Sequence, residues 1–243
     1  MAVGSVTTNF QSETPLSEAA ATALSMAASQ GWVDPNKLPS PSRAAKILLE
    51  EARATFATHL NLRPESINFL GEVSFGYYLG IAGLLTPERK LYYANIDRQE
   101  VHAIASTHQS EALSVNSLGK ISTPPSDSMN VISWQLRNGE TGIAQDELND
   151  SKSFIFVDAT SSGARNPLPK HWSTALFDSR SWDGPQGLGI LAINNEKNWH
   201  NPIPRMDSAK VPAKVKGSLH EAKTRKSQNL FNTLSAMPCP CAC

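Results

Sequence analysis

Short apolar segments alternate with helical segments through the middle of the chain, and this alternation constrains the fold more than any other feature. A long amphipathic helix is predicted from Ser40, because apolar residues recur at steps of three and four between Ala44 and Leu60. Further helices are predicted at 71–85 and 98–106. The strand candidates are 67–70, 90–95, 112–116, 131–136, 154–158, 174–178 and 187–193. Such alternation favours an α/β fold with a mainly parallel sheet and helices on both faces.

Polar residues follow several of the predicted strands. In open parallel sheets, ligands bind beyond the carboxyl ends of the strands. We therefore expect a ligand site among the residues that end or follow strands, which are Gly71, Asp97, Asn138, Asp158 and Asp178.

The charge balance of the chain argues against some classes of partner. Its 243 residues contain 22 Lys and Arg and 22 Asp and Glu, so the formal net charge is zero. A neutral chain has no general attraction for nucleic acid or for an anionic membrane. The longest apolar run, 77–85, is far shorter than the roughly 20 residues of a membrane span. The amino terminus has neither a basic start nor an apolar signal core. These features predict a cytoplasmic protein without nucleic-acid or membrane partners.

The composition changes near residue 209, where we expect a boundary. Residues 1–209 would form the folded domain, and residues 210–243 a basic, poorly ordered tail. All three cysteines lie at its end, at Cys239, Cys241 and Cys243. A frayed terminus is the favoured interpretation, and a site for a soft metal is the alternative. A truncated or frame-shifted reading of a longer gene would also explain this clustering.

Six segments, taken in order, resemble the cysteine desulfurase branch of the class V aminotransferase family. The most specific are VISWQLRNGETGIAQ, FIFVDATSSG and DSRSWDGPQGLGILAI, which are preceded by ETPL, the helix from Ala44, and GEVSFGYYLGIAGL. The resemblance covers roughly residues 10–195. It implies the large domain of a fold-type-I transferase that depends on pyridoxal phosphate. It also implies a dimer, because such enzymes build their sites at a dimer interface.

Several functional positions of the family carry different residue types here. When the segments are aligned on the GPQG motif, Ser181 stands at the position of the lysine that forms the Schiff base, and Arg180 at that of the preceding histidine. Asp178 replaces a serine that contacts the phosphate, and Val73 replaces a threonine with the same role. Arg98 takes the place of the histidine that stacks on the ring. Serine has no amine with which to form an imine.

Three further positions of the family's site remain polar. Asp158 matches the aspartate that pairs with the pyridinium nitrogen, and Asn138 lies in the NGETG loop that approaches the cofactor. Ser161 stands at the position of a glutamine. Asp158 and Asn138 could equally be residues that cap turns and preserve the fold.

These substitutions predict a catalytically inactive or strongly altered family member that has lost the cofactor. It would act as a binding or partner subunit, paired with itself or with an active relative. The alternative is an active transferase or lyase that uses another lysine, and Lys170 and Lys197 are the nearest in sequence. The histidines show no metal-binding or catalytic spacing and are interpreted as surface residues.

Overall fold

The computed structural model describes residues 16–29, 33–35, 40–163 and 166–203. The predicted boundary near residue 209 and the cysteine-ended tail lie outside these residues. The helices are α1 (Glu18–Ser29), α2 (Ser40–Leu60), α3 (Val73–Ala82) and α4 (Gln99–Ala105). The strands are β1 (Ile67–Leu70), β2 (Lys90–Ala94), β3 (Ser110–Leu113), β4 (Asn130–Gln135), β5 (Phe154–Asp158), β6 (Thr174–Asp178) and β7 (Gly189–Ile193).

The strands form one seven-stranded sheet in the order β1-β7-β6-β5-β4-β2-β3. Strand β7 runs antiparallel to both of its neighbours, and the other strands are parallel to one another. The connection from β6 to β7 is short and begins with a 3-10 turn at Ser179–Trp182, so the chain reverses direction instead of crossing over. A parallel connection would need a much longer crossover. The predicted mainly parallel sheet is confirmed.

Helices cover both faces of the sheet, as predicted. Successive side chains of a strand point to opposite faces, and β5 illustrates this alternation. Ile155 and Val157 pack in the cluster on the α2 side, whereas Phe156 packs in the cluster that contains α3 and α4. The central strands are therefore apolar in both directions, which is the pattern of a sheet buried on both faces.

Among the strands, the predicted and observed bounds differ most at β3. The sequence predicts a strand at 112–116, whereas the structure has Ser110–Leu113. Beyond Leu113 the chain turns, and Val115 forms an isolated antiparallel bridge with Ile121. The Asn116 side chain closes this turn by accepting hydrogen bonds from the backbone N–H groups of Leu118 and Lys120. The apolar residue at 115 thus belongs to a hairpin and not to the sheet.

Two further observations concern the helices. None of the residues of α1 is buried against the rest of the described chain. Among the described residues, no helix combines the length and the apolar character that crossing a bilayer requires.

Candidate functional site

The carboxyl ends of the parallel strands bring together the polar residues that the sequence singled out. Asp158 ends β5, Asp178 ends β6, and Gln135 ends β4 beside Asp158. Asp97 follows β2, and its Oδ1 accepts a hydrogen bond from Gln135 Nε2 at 2.8 Å across the sheet edge. The topology therefore places these side chains on one edge, as expected from parallel strands.

The carboxylate of Asp158 is engaged by neighbouring side chains of the chain itself. The Tyr77 hydroxyl, from α3, donates to Asp158 Oδ2 at 2.7 Å. Thr160 donates twice to Asp158 Oδ1, from its backbone N–H at 2.9 Å and from its hydroxyl at 2.6 Å. Asp158 is only 7 % exposed. A buried carboxylate needs such donors to offset its desolvation, and here the protein supplies them.

Arg98 lies beside this carboxylate. Its Nε is 3.9 Å from Asp158 Oδ2, and its Nη2 donates to Ser161 Oγ at 3.1 Å. Gly139 packs against this pair, since a Cβ at that position would lie 2.7 Å from Ser161 Oγ and 2.9 Å from Arg98 Nη2. The structure thus brings Arg98, Ser161 and Asp158 together, with the guanidinium alongside the carboxylate.

The protonation states of this cluster follow from its surroundings. Burial, and then the negative charge of Asp158, raise the pKa of Tyr77 well above its ordinary value, so the phenol remains a donor. Burial works against the charged form of Arg98, but Tyr77 and Asp158 outweigh it and raise the pKa of its guanidinium. Arg98 is therefore a permanent cation and cannot relay protons.

Asn138 has its polar groups committed to the loop and to the sheet edge. Its Oδ1 accepts hydrogen bonds from the backbone N–H groups of Glu140 and Thr141 and from the Thr141 hydroxyl. Its Nδ2 donates to the Ile96 carbonyl at 3.2 Å and to Gln135 Oε1 at 3.2 Å. This geometry is that of an asparagine that caps a turn, one of the two interpretations left open by the sequence.

Asp97 is a further carboxylate at this edge. Its Oδ2 accepts from the backbone N–H of Ala94 at 2.9 Å. Burial, opposed in part by this hydrogen bond, raises the pKa of Asp97 to about 7. The group therefore titrates near neutral pH.

Asp178, Arg180 and Ser181 form a second local network after β6. Asp178 is 1 % exposed and accepts from the Arg180 backbone N–H at 2.9 Å. The Arg180 side chain donates to Asp178 Oδ2 from Nε at 2.9 Å and from Nη2 at 2.6 Å. The Ser181 hydroxyl donates to the Asp178 carbonyl at 2.7 Å. Gly163 lies beside this hydroxyl, because a Cβ there would be 2.5 Å from Ser181 Oγ.

Carboxylates occupy the amino-terminal end of α3. The Glu72 side chain caps the helix by accepting from the backbone N–H of Ser74 at 3.1 Å. The Ser74 hydroxyl donates to Glu100 Oε1 at 2.7 Å. Val73 supplies no hydroxyl. Glu72 therefore holds the position at which a helix amino terminus would receive an external anion.

The two lysines considered as replacements lie at the opposite end of the sheet. Lys170 precedes Trp172, whose carbonyl accepts from Asn194 Nδ2 at 2.9 Å where β6 begins and β7 ends. Lys197 follows β7 at this same end. Asp178 is the last of the five residues of β6, so it lies roughly 13 Å along the strand from Thr174, at about 3.3 Å for each of the four steps.

These residues do not match what pyridoxal phosphate requires. The cofactor needs a lysine amine, a carboxylate directed at its ring nitrogen and donors for its phosphate. Ser181 offers a hydroxyl, Asp158 is bonded to Tyr77 and Thr160, and Glu72 caps the helix. Each group of the cofactor would meet either the wrong chemistry or a side chain already in place.

Sequence reasoning missed Tyr77 and Thr160. Both were inconspicuous because Tyr77 begins an apolar run and Thr160 lies in a loop. A buried tyrosine usually finds a partner for its hydroxyl, so a tyrosine inside an apolar helix was the available signal. Its pairing with Asp158 joins residues 81 positions apart, and only the fold brings them together.

No protein-family model and no curated protein sequence matches the chain. Solved structures do match it. A NifS-like protein is 17 % identical over 92 % of this chain and 69 % of its own, with a TM-score of 0.70. SspA in complex with cysteine is 18 % identical over 82 % of this chain and 63 % of its own, with a TM-score of 0.69.

DndA from Streptomyces lividans is 19 % identical over 79 % of this chain and 62 % of its own, with a TM-score of 0.62. The chain thus spans between 62 % and 69 % of the length of these three proteins. Likeness at such low identity concerns the fold, and it agrees with the resemblance seen in the sequence motifs. The chain has the α/β fold of these solved structures.

Proposed function

We propose that this chain is a catalytically inactive member of the cysteine desulfurase-like fold that works without pyridoxal phosphate, as a binding or partner subunit. The observation that carries the proposal is the state of Asp158. Its Oδ2 accepts a hydrogen bond from Tyr77, its Oδ1 accepts two from Thr160, and Arg98 lies beside the carboxylate. A pyridinium nitrogen would have to compete with Tyr77 for Asp158 Oδ2.

Electrostatics at the other end of the site supports the same proposal. A phosphate dianion would approach the amino terminus of α3, where Glu72 and Glu100 are bonded to Ser74. Two unit charges of like sign 4 Å apart repel by about 4 kcal/mol at intermediate dielectric. The carboxylates therefore oppose the group that anchors the cofactor in active relatives.

Cofactor retention tests the proposal directly. The purified full chain is incubated with pyridoxal phosphate, treated with borohydride or left untreated, and passed through gel filtration. We expect no cofactor absorbance in the protein fraction and no mass increase after borohydride. A lysine-linked adduct, located by peptide mass spectrometry, would contradict the proposal and favour the active transferase or lyase with another lysine.

Two variants distinguish the effect of the missing amine from the effect of the side chains that occupy the site. In the single variant Ser181→Lys, Arg98 and Glu72 remain in place, so we expect no retained cofactor. In the quadruple variant Ser181→Lys, Arg98→His, Glu72→Ala and Tyr77→Phe, the amine is supplied, and the obstructing groups and one hydrogen-bond partner of Asp158 are removed, so we expect measurable retention. Covalent trapping by the single variant would show that the internal contacts do not block the site.

For the partner, we propose a second copy of this chain. The described part of α1 has no buried residue, and α2 exposes Ile47 and Leu48 at 51 % and 65 %. Exposed apolar groups that cluster on a surface are a common feature of interfaces. Light scattering should therefore detect a dimer that Leu48→Glu weakens, whereas Leu118→Glu, in a hairpin turn and 72 % exposed, leaves it unchanged. A monomer at every concentration would contradict self-pairing and direct the search to an active relative.

A further inference from the structure

A groove of about 430 Å³ lies at the opposite end of the sheet from Asp158. It is bounded by the carboxyl-terminal part of α3, by the segment before β2 and by the segments after α4 and β7. Its volume lies within the range of roughly 300–1,000 Å³ that is typical of small-molecule sites. Tyr78, Leu85 and Pro202 contribute to its walls. The groove thus has the size and the mixed walls of a ligand site.

Positively charged and titratable groups converge on this groove. Arg89, His108 and His200 line it together with the side chain of Thr107, and none of the described residues that line it is acidic. A hydrogen bond to Thr86 lowers the pKa of the adjacent Glu88 and keeps its carboxylate ionised, but Glu88 does not line the groove. The lining therefore favours an anion.

The guanidinium of Arg89 is held in position by two contacts. Its Nη1 donates to the Leu84 carbonyl, and its guanidinium carbon lies 3.8 Å from the centroid of the Phe154 ring. A guanidinium that is fixed before binding loses less side-chain entropy when it forms a hydrogen bond with a ligand. Its planar set of donors also matches the geometry of a phosphate.

The tautomer of His108 follows from its contact with α4. His108 Nδ1 is 3.0 Å from the Ile104 carbonyl oxygen. Thr107 Oγ1 lies 3.0 Å from the same nitrogen and donates its own hydrogen to the Ile104 carbonyl at 2.9 Å. Both neighbours of Nδ1 therefore act as acceptors, and Nδ1 carries the hydrogen. This leaves Nε2 as the nitrogen available to a ligand, and it becomes a donor when the ring is protonated.

Hydrogen bonds to backbone carbonyls reduce the negative charge that the carboxyl-terminal end of α3 presents to the groove. The His200 N–H donates to the Gly83 carbonyl at 2.9 Å, and Trp199 Nε1 donates to the Leu79 carbonyl at 2.8 Å. With the Arg89 contact to Leu84, these donors satisfy carbonyls at the carboxyl-terminal end of the helix. The unfavourable field that this end would present to an anion is thereby reduced.

We propose that this groove binds a small molecule that carries a phosphate group. Arg89, His108 and His200 receive the phosphate. Two imidazoles alone could also suggest a transition metal. The guanidinium that lines the same groove repels a cation, and no group of three or more potential metal ligands occurs among the described residues. The anion is therefore the favoured occupant.

The test is the affinity of the full chain for inorganic phosphate, measured by calorimetry at constant ionic strength. His108→Asn keeps a donor near the position of Nδ1 and removes Nε2, whereas His108→Gln places a polar nitrogen near the position of Nε2. Loss of the hydrogen bond at Nε2 should weaken binding by about tenfold in His108→Asn. His108→Gln should stay within about threefold of the parent chain, and His59→Asn, on α2, should match it.

Four results would overturn the proposal. One is the absence of saturable phosphate binding by the parent chain. Another is equal affinity in His108→Asn and His108→Gln with folding verified by circular dichroism. The third is loss of phosphate binding in Arg98→Gln but not in His108→Asn, because the anion would then occupy the other end of the sheet. Stoichiometric zinc uptake that His108→Asn abolishes, without phosphate binding, would likewise replace the anion by a metal.

Discussion

The hydrogen bond between Tyr77 and Asp158 is the contact on which the proposed absence of cofactor depends, and Tyr77→Phe removes it with little change in shape. The Tyr77 ring is 2 % exposed and packs against Phe156 at 5.7 Å between ring centroids. Its hydroxyl donates to Asp158 Oδ2 at 2.7 Å and lies 3.1 Å from Thr160 Oγ1. The substitution therefore leaves a buried carboxylate with one donor fewer and creates almost no cavity.

The expected cost is about 2 kcal/mol of unfolding free energy, since a hydrogen bond to a charged group contributes about 1.5–3 kcal/mol. The assay is urea unfolding at neutral pH, followed by fluorescence and by circular dichroism. Tyr78→Phe is the matched control, because Tyr78 is the next residue of α3 and is 40 % exposed. We expect this control to change stability by less than about 0.5 kcal/mol.

A double-mutant cycle with Asp158→Asn makes the test specific to the pair. If the two residues interact as the distances indicate, the double variant should be less destabilised than the sum of the single variants by about 1 kcal/mol or more. Equal stability of Tyr77→Phe and Tyr78→Phe, or strict additivity in the cycle, would refute the reasoning that the protein itself engages Asp158.

Two further predictions concern Asp97 and Gly80. Burial raises the pKa of Asp97 to about 7 from an ordinary value of 3.8. Between these two pH values the folded chain retains a proton that the unfolded chain has lost. The free energy of unfolding, relative to that of Asp97→Asn, should therefore be highest below pH 4 and fall by a few kcal/mol as the pH rises to 7. Urea unfolding across this pH range measures the difference, and parallel curves for both chains would contradict it. Gly80→Ala should cost about 1–3 kcal/mol, because its Cβ would lie 2.6 Å from the Phe156 ring; the thermal midpoint measures this, and Phe156→Leu in the same chain should recover part of the loss.

Strand and helix patterns were sufficient to predict most of the fold. The predictions for 154–158 and 174–178 agree with β5 and β6 at both ends, because these are short apolar runs bounded by polar or turn-forming residues. The predicted end of β3 was wrong by three residues, because Val115 belongs to a hairpin contact and not to the pairing of the sheet. The sequence pattern does not distinguish these two reasons for an apolar side chain.

The sequence also located the candidate site, but it did not show whether the polar groups of the site are already hydrogen-bonded within the chain. Asp158 and Asn138 were placed at the carboxyl ends of strands, and both were left open as ligands or as capping residues. The structure shows Asn138 bonded within its own loop and Asp158 bonded to Tyr77 and Thr160. Whether an acceptor is free or occupied depends on side chains from distant segments, which periodicity does not specify.

The sequence by itself determined the order of strands and helices, the type of sheet and the residue types at each strand end. These properties follow from local periodicity and from the directions that short connections permit. The tertiary structure alone decided which groups meet: Tyr77 with Asp158, Arg98 with Ser161, and Arg89 with His108 in a groove at the far end of the sheet. The physical reason is that hydrogen bonds and ion pairs depend on distances of about 3 Å, and such distances between remote residues exist only after the chain has folded.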